Sequence, residues 1–418
     1  MASPALTWIR RLSFVLVLAV AAVAPGPSAG SRTRLCTGPD CDRVGTIRWT
    51  RPLPGAWIAQ NGLLGTTPAG GQAYAALDGQ VAAVGTGTTV AAYAARNGRA
   101  LWTADLTGFP PGSAVVSVRV WPGLVTAGVS LPASVTGPAR EEVLLAAPTG
   151  QRIRAYPAAP FGGAVAVAGG GTVIVGPRAV TSYGNRTGRV RWSRPTGPVA
   201  QAWQEDGNEL YVTVAAGGYL GTAPVTALRQ ISLSTGRERL VRPPGGAFAG
   251  SLSLAFDGVV FFTSASGLTA YRASSGARLW HRPSGLPAGV DVVARRLYLL
   301  VGNALVGVDP LTGARLARVT GATAAEAAGL YGVRNGAVLG LDHGALGKAW
   351  GYRVATQRVV WTSAPLPWPH YFVDLSGIGG STSPLGLLLA VCGALGPPPA
   401  SASAAQPCAR PELVALNR

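Results

Sequence analysis

The stretch Gly267–Trp280, GLTAYRASSGARLW, decides how the chain folds. Leu268–Tyr271 mixes β-branched, aromatic and small residues, as a buried strand does. Ser274–Gly276 then supplies turn chemistry, because glycine adopts a positive φ angle at no steric cost. Ala277–Trp280 forms a second short strand that ends in a large aromatic side chain. The stretch therefore predicts a tight β-hairpin.

This hairpin recurs along the chain. An aromatic residue, a glycine five positions later and a tryptophan four positions after the glycine occur at Tyr93/Gly98/Trp102, Tyr183/Gly188/Trp192 and Tyr271/Gly276/Trp280. Degenerate copies occur at Leu145/Gly150/Arg154, Ile231/Gly236/Leu240, Val308/Gly313/Ala317 and Tyr352/Gln357/Trp361. Successive copies are 37 to 52 residues apart. Repeats of about 40–50 residues that hold several short strands indicate the blades of a β-propeller.

The two ends of the chain carry complementary halves of one more hairpin. Val44–Trp49 matches only the second half, and Glu412–Asn417 has the pattern of the missing first strand. Pairing them would close the ring without an open edge between the first and last blades. We therefore predict an all-β, eight-bladed β-propeller of four-stranded antiparallel blades. Seven blades is the alternative, because the hairpin that ends at Arg154 is poor.

Three insertions interrupt the period, each between the second and third strands of a blade: Leu131–Glu142, Ala216–Val225 and Ala394–Pro407. In a propeller, these connections emerge on the same face as the connections between blades, so the insertions should crowd that face. Ala322–Leu330 has helical propensity, although it falls where the first strand of a blade is due.

The N-terminus has the pattern of an export signal. Arg10 and Arg11 precede the apolar run Leu12–Ala24, which has signal-peptide length. No charge occurs between Leu12 and Gly30, so residues 1–30 are predicted to be a signal peptide or, alternatively, a membrane anchor. Residues 31–43 are predicted to be a polar spacer and residues 44–418 the propeller. The predicted location is extracytoplasmic, either secreted or anchored to the outer face of the cytoplasmic membrane.

Four cysteines in an exported chain predict two disulfides. Cys36 and Cys41 flank a turn and can close locally. Cys392 ends the second strand of the closing blade, and Cys408 precedes its third strand. Cys41 belongs at the far end of that third strand, about 20 Å away, which exceeds the reach of a disulfide. We therefore predict the pairs Cys36–Cys41 and Cys392–Cys408.

The chain is strongly basic, with a formal net charge of +18 from 35 basic and 17 acidic residues. Such a balance implies affinity for anionic surfaces, although an arginine-biased composition also produces it. Many arginines follow the repeat glycine on the predicted outer strand: Arg189, Arg191, Arg237, Arg239, Arg278, Arg282, Arg315 and Arg318. We interpret them as protecting an unpaired strand edge. The alternative is a basic outer wall against anionic lipid or cell-wall polymer.

The period, the hairpin and Val308–Gly313 together resemble the pyrroloquinoline-quinone-type propeller repeat, whose motif is Ala-x-Asp-x-x-Thr-Gly-x-x-x-Trp. Gly307–Gly313 matches its Asp-x-x-Thr-Gly part but has Ala317 for the tryptophan, and Tyr271–Trp280 has Ala273 for the aspartate. The resemblance covers roughly residues 44–418 and implies tryptophans that dock between neighbouring blades. The corresponding positions are Trp49, Trp102, Trp192, Trp280 and Trp361, with Gly45, Gly98, Gly188, Gly276 and Gly313.

The family contains both quinoprotein dehydrogenases and non-enzymatic scaffolds, one of which is the propeller lipoprotein of the outer-membrane β-barrel assembly machinery. The resemblance to the dehydrogenases implies adjacent cysteines at the cofactor and a calcium ion held by carboxylate and amide oxygens. Here no two cysteines are adjacent, and the acidic residues are scattered. His281, His343 and His370 are not at metal-ligand spacing, and no Gly-x-Ser-x-Gly elbow accompanies Asp342–His343. The sequence therefore predicts no catalytic, cofactor-binding or metal-binding residues.

The resulting prediction is an exported, non-catalytic, monomeric scaffold that binds a protein or an anionic envelope polymer. The alternatives are a quinoprotein-like dehydrogenase and a membrane-anchored extracellular sensor, which would retain Leu12–Ala24. Nucleic acid is not expected as a partner, because no stacking platform of aromatic and basic residues is evident.

Overall fold

The computed structural model describes the propeller-forming part of the chain. Thr33–Arg418 form one compact unit, whereas the predicted signal or anchor, residues 1–30, lies outside the described residues. The described ranges are 34–35, 47–53, 57–60, 63–66, 74–77, 80–132, 140–158, 163–167, 170–176, 178–196, 202–215, 224–291, 294–302, 304–319, 332–334, 337–341, 349–353, 358–362, 372–374, 387–392 and 406–416.

All regular secondary structure in these ranges is β-strand. The first half of the chain forms β1 (Arg34–Leu35), β2 (Ile47–Pro52), β3 (Trp57–Gln60), β4 (Leu63–Thr66), β5 (Tyr74–Leu77), β6 (Val81–Thr86), β7 (Thr89–Ala94), β8 (Ala100–Asp105), β9 (Ala114–Trp121), β10 (Leu124–Ser130), β11 (Arg140–Ala146), β12 (Arg152–Ala158), β13 (Ala164–Val167), β14 (Gly171–Val175), β15 (Ala179–Gly184), β16 (Val190–Pro195), β17 (Trp203–Asp206) and β18 (Glu209–Ala215).

The second half continues the same pattern. Its strands are β19 (Val225–Ser232), β20 (Glu238–Val241), β21 (Ser251–Phe256), β22 (Val259–Ser264), β23 (Gly267–Arg272), β24 (Arg278–Arg282), β25 (Leu286–Asp291), β26 (Arg296–Val301), β27 (Ala304–Val308), β28 (Arg315–Val319), β29 (Gly332–Arg334), β30 (Ala337–Leu341), β31 (Ala349–Arg353), β32 (Arg358–Thr362), β33 (Phe372–Asp374), β34 (Leu387–Cys392), β35 (Gln406–Cys408) and β36 (Pro411–Leu416).

Seven consecutive four-strand groups, β5–β8 through β29–β32, each form an antiparallel sheet in chain order. We label these sheets blades I to VII, and the sheet that contains both chain ends blade VIII. The first strands of neighbouring blades contact one another, for example β5 with β9 and β17 with β21. First strands are therefore innermost, and fourth strands form the outer edges. The all-β propeller is confirmed, whereas the total of eight blades stays a prediction because the described residues do not cover the whole chain.

Blade VIII closes the ring as the split hairpin predicts. Its strand order is β1-β2-β36-β34-β33, so β36 is the third strand and β2 the fourth. Strands β2 and β36 pair antiparallel, with Thr50 opposite Val414 and Pro52 opposite Glu412. The predicted closure by the two chain ends is thus confirmed.

Two features of this region differ from the predicted pattern. Within the predicted spacer, Arg34–Leu35 pairs with the outer edge of β2 and gives blade VIII a fifth strand. In addition, β3, β4 and β35 form a small three-stranded sheet. It joins the connection between blades VIII and I to the connection between β34 and β36. The pairing of β3 with β35 joins segments from the two ends of the chain.

The insertions lie where the register predicts. Leu131–Glu142 follows β10, Ala216–Val225 follows β18 and Ala394–Pro407 follows β34, and each of these is the second strand of its blade. We call the face on which these connections emerge the insertion face.

Ala322–Leu330, the stretch with helical propensity, lies outside the described residues. Within the described ranges, the structure has no helix long and apolar enough to cross a membrane.

The described hairpins between the third and fourth strands, those of blades I to VI, use the same turn. The repeat glycines have φ angles between 64° and 70°, a region that glycine enters without a Cβ penalty. The residue before the glycine accepts a hydrogen bond from the amide of the residue after it; these acceptors are Asn97, Thr149, Thr187, Thr235, Ser275 and Thr312. The Asn/Ser/Thr-Gly pattern is therefore explained by local turn chemistry.

The apolar core lies between blades. Val90, Val125 and Val143 belong to one buried cluster that joins blades I and II. Phe261 and Leu297 belong to another, between blades V and VI, and comparable clusters join the blades from II to V. Since these clusters bury sheet faces of blades I to VI against their neighbours, these blades stabilise one another.

Candidate functional site

The repeat tryptophans and glycines meet across blade junctions. Trp49, on the outer strand of blade VIII, is fully buried and covers Gly98 of blade I. A Cβ atom at Gly98 would lie 2.5 Å from Trp49 Cδ2. This distance is too short for two carbon atoms that are not bonded, so only glycine fits here. Trp49 Nε1 donates a hydrogen bond to the Ala95 carbonyl at 2.9 Å. We call this arrangement the tryptophan–glycine clasp.

The clasp repeats around the ring. Its further copies are Trp102 on Gly150, with a 2.6 Å hydrogen bond to the Ala147 carbonyl, Trp192 on Gly236, and Trp280 on Gly313, with a 2.9 Å hydrogen bond to the Pro310 carbonyl. Each tryptophan therefore contacts the hairpin of the next blade rather than its own. This links blades VIII and I, I and II, III and IV, and V and VI.

Two junctions use other groups in the same place. Between blades II and III, the Arg154 guanidinium covers Gly188 and its Nη2 lies 3.4 Å from the Thr187 carbonyl oxygen. Between blades IV and V, the backbone of Arg242 and Pro243 lies against Gly276. The degenerate repeats thus keep the glycine contact and change the group that covers it.

An arginine two residues after the tryptophan extends three of the clasps. Arg51 donates to the Gly98 carbonyl, Arg194 Nε donates to the Gly236 carbonyl at 2.6 Å, and Arg282 Nη2 donates to the Gly313 carbonyl at 2.5 Å. The sequence interpretation grouped Arg282 with outer-edge arginines, whereas the structure directs its side chain to the next blade. The three arginines share the pattern Trp-x-Arg, which marks them as a group but does not say what each guanidinium contacts.

The remaining predicted positions are less completely described. Gly45, Cys36 and Cys41 lie outside the described residues. Trp361 lies on β32, but its side chain is outside the described set, so its docking stays a prediction. Cys408 is buried on β35.

A buried ion pair lies inside blade II and faces blade III. Arg140 Nη2 lies 2.6 Å from Glu142 Oε1 and 2.5 Å from Ser117 Oγ. Gly128 lies between the strands of Ser117 and Glu142, and a Cβ atom there would overlap the Arg140 guanidinium. The missing side chain at Gly128 therefore provides the space for the arginine.

A second group on the innermost strands extends this cluster. Arg119 of blade II lies over the Trp203 ring of blade IV, with 4.8 Å from Cζ to the ring centroid. Its Nη1 lies 3.4 Å from the Ala164 carbonyl oxygen of blade III. Glu205 is on the same strand as Trp203, and its Oε2 is buried with no hydrogen-bond partner among the described residues. We call Ser117, Arg119, Arg140, Glu142, Trp203 and Glu205 together the inner cluster.

Burial dominates the electrostatics of the two carboxyl groups. Desolvation raises the pKa of Glu142 above its ordinary value, and Arg140 opposes part of this increase. Desolvation likewise raises the pKa of Glu205, with opposition from Arg119. Both groups therefore bind a proton more readily than an exposed glutamate does.

The inner cluster combines several kinds of side chain. It offers guanidinium donors, a carboxylate acceptor and the face of an indole ring. Within the described ranges, no group of three or more His, Cys, Asp and Glu side chains is placed to hold a metal ion. Sequence reasoning missed this cluster, because its members come from blades far apart in the chain. The available signal was the occurrence of charged residues on first strands.

The fold and the clasp together define a β-propeller built from repeats of the pyrroloquinoline-quinone type. A family model described as outer membrane protein assembly factor BamB matches residues 139–363, which is more than half of the 418 residues. The chain belongs to this family, as its sequence resemblance predicts. A search of curated proteins finds no match to the chain.

Three solved structures are similar to the chain. Sqt1 of Saccharomyces cerevisiae is 10% identical, with 90% of this chain and 99% of that chain covered and a TM-score of 0.54. BamB from Moraxella catarrhalis is 14% identical, with 75% and 97% covered and a TM-score of 0.44. The quinohemoprotein alcohol dehydrogenase ADHIIG from Pseudomonas putida HK5 is 14% identical, with 90% and 76% covered and a TM-score of 0.48. The likeness to Sqt1 supports the propeller fold.

Replacing Gly98 by alanine should destabilise the protein by about 2–5 kcal/mol. The positive φ angle costs roughly 1–2 kcal/mol for a residue with a Cβ atom, and overpacking against Trp49 adds about 1–3 kcal/mol. Gly87→Ala is the matched control, because Gly87 also has a positive φ of 55° but a Cβ atom there meets nothing within 4 Å. Urea unfolding of the two variants measures the difference. Equal losses would mean that the tryptophan contact adds nothing.

Replacing Arg140 by leucine should destabilise the protein by about 3–5 kcal/mol, because Glu142 is left buried without its partner. The double variant Arg140→Leu/Glu142→Leu should recover most of this loss, since an apolar pair carries no desolvation penalty. Thermal and urea unfolding of the single and double variants test this. A double variant that is no more stable than the single one would show that the ion pair is not the source of the effect.

Proposed function

We propose that this protein is an exported, non-catalytic, monomeric propeller scaffold that binds a protein partner or an anionic polymer of the cell envelope. The observation that carries the proposal is the match of residues 139–363 to a family described as an outer membrane protein assembly factor. That description names a protein that takes part in assembling other proteins, which is consistent with a binding scaffold.

We assign the partner surface to the centre of the insertion face. Loops that a rigid framework positions commonly carry binding function. The three insertions and the small sheet of β3, β4 and β35 belong to connections on this face. Arg140 lies at the C-terminal end of the first insertion, where β11 begins, and Trp203 begins the first strand of blade IV. The inner cluster therefore lies near the insertion face.

The proposed domain organisation follows the sequence prediction. Residues 1–30 are an export signal or a membrane anchor, residues 31–43 a spacer and residues 44–418 the propeller. Outward transport would place the propeller beyond the cytoplasmic membrane, the setting named by the family description. No two cysteines of the sequence are adjacent and its acidic residues are scattered, which favours a scaffold over a dehydrogenase.

Chemical cross-linking of the full chain in envelope extract tests the proposed function. We expect a defined partner to cross-link to the wild-type protein and to Arg315→Ala, whose exposed side chain lies on the outer strand of blade VI. Arg119→Ala should lose the partner while its melting temperature shows that it is folded. Equal capture by both variants would remove the inner cluster from the interface.

Saturable binding of pyrroloquinoline quinone with calcium, accompanied by dye-linked alcohol oxidation, would overturn the non-catalytic assignment.

We also propose the disulfides Cys392–Cys408 and Cys36–Cys41. The register supports the first pair, because Cys392 lies opposite Pro411, three positions after Cys408 in the chain. Closing this 16-residue interval should stabilise the protein by roughly 3 kcal/mol in the chain-entropy model. Non-reducing peptide mapping is expected to recover both pairs. A peptide joining Cys36 or Cys41 to Cys392 or Cys408 would contradict them.

A further inference from the structure

Positive charge is concentrated on blade III. Residues 143–204 contain seven arginines and no acidic residue, whereas residues 205–309 contain nine arginines and seven acidic residues. The seven are Arg152, Arg154, Arg178, Arg186, Arg189, Arg191 and Arg194. This stretch comprises the outer strand of blade II and all of blade III. A composition bias acting evenly along the chain does not explain the contrast between the two stretches.

The structure gathers several of these arginines at one corner. Arg186 and Arg189 are exposed in the hairpin between β15 and β16, and exposed Arg191 follows on β16. The Arg154 guanidinium reaches the same hairpin from blade II, against Gly188. Guanidinium groups of two blades therefore converge at the outer edge of blade III.

Arg186 and Arg189 form no ion pair with a described side chain. The four ion pairs between described side chains are Arg140–Glu142, Arg229–Glu238, Arg295–Asp257 and Arg410–Glu412. None involves Arg186 or Arg189.

An aliphatic side chain lies within the basic edge. Val190, between Arg189 and Arg191, is 58% exposed. The outer strand of blade VI likewise exposes an aliphatic side chain beside an arginine, since Leu316 next to Arg315 is 48% exposed. Guanidinium groups bind phosphate oxygens, and a neighbouring aliphatic group can enter the boundary of the acyl chains. Nucleic acid fits less well, because Trp192 on this strand is buried against Gly236 and is not free to stack on bases.

We propose that the outer edge of blade III, formed by Arg186, Arg189, Val190 and Arg191, is a docking surface for an anionic phospholipid bilayer. This surface is separate from the insertion face, and the proposal does not depend on the partner-binding function. It would hold the propeller edge-on against a membrane and leave both faces of the disc accessible.

Vesicle flotation of the full chain tests the proposal. The probes are vesicles of phosphatidylcholine alone and of an equimolar mixture with phosphatidylglycerol, each at low and high salt. We expect stronger binding to the anionic vesicles and a loss of this difference at high salt. Arg186→Gln/Arg189→Gln should weaken anionic binding roughly 25-fold, since each basic residue near such a surface contributes about fivefold.

The matched control is Arg237→Gln/Arg278→Gln, which removes the same charge from exposed positions on blades IV and V. It should bind anionic vesicles as the wild-type protein does. Comparison with phosphatidylcholine separates any contribution of the apolar N-terminal segment, which needs no anionic lipid. An equal loss in both double variants would assign the binding to net charge and overturn the proposal. Binding of soluble polyphosphate without any preference for anionic vesicles would also overturn it.

Discussion

The architecture depends on the contact between a tryptophan on the outer strand of one blade and a glycine in the hairpin of the next. The glycine adopts a positive φ angle and has no Cβ atom, so one residue both forms the turn and admits the indole ring. At Trp49, Trp102 and Trp280 the indole N–H also donates a hydrogen bond to a carbonyl of that hairpin, whereas the buried Trp192 Nε1 has no partner among the described residues. Each of these contacts joins two successive blades and so fixes the position of one blade against the next. The contact of Trp49 with Gly98 does this between blade VIII, which holds both chain ends, and blade I.

The charges divide into two populations with different physical roles. Inside, Arg140 and Glu142 compensate each other where desolvation is strong, and Gly128 provides the space for their contact. Arg51, Arg194 and Arg282 bind carbonyl groups of neighbouring hairpins, so they stabilise blade junctions. Outside, Arg186 and Arg189 point to solvent in a stretch without acidic residues. A single explanation for all arginines therefore fails, and only their contacts separate structural from surface arginines.

The functional proposals use different parts of the same rigid ring. The insertion face combines irregular connections with the inner cluster, where donors, a carboxylate and an indole ring lie together. The outer edge of blade III combines basic and aliphatic side chains on one strand. A propeller permits this separation because its interior is used for packing between blades, which leaves both faces and the rim for binding.

The sequence by itself determined the repeat, the hairpin turn, the order of strands within each blade and the closure through Glu412–Asn417. These features depend on local periodicity and turn chemistry, which are determined by residues close together in the sequence. Only the tertiary structure decided that Arg154 replaces a tryptophan at Gly188, and that Arg282 reaches the next blade. It also decided that Arg119 of blade II lies over the ring of Trp203 of blade IV, on the strand that carries Glu205. Sequence alone does not indicate this contact, because Arg119 and Glu205 are 86 positions apart. Contacts between blades depend on how side chains of distant segments fill shared space, and no local pattern encodes that packing.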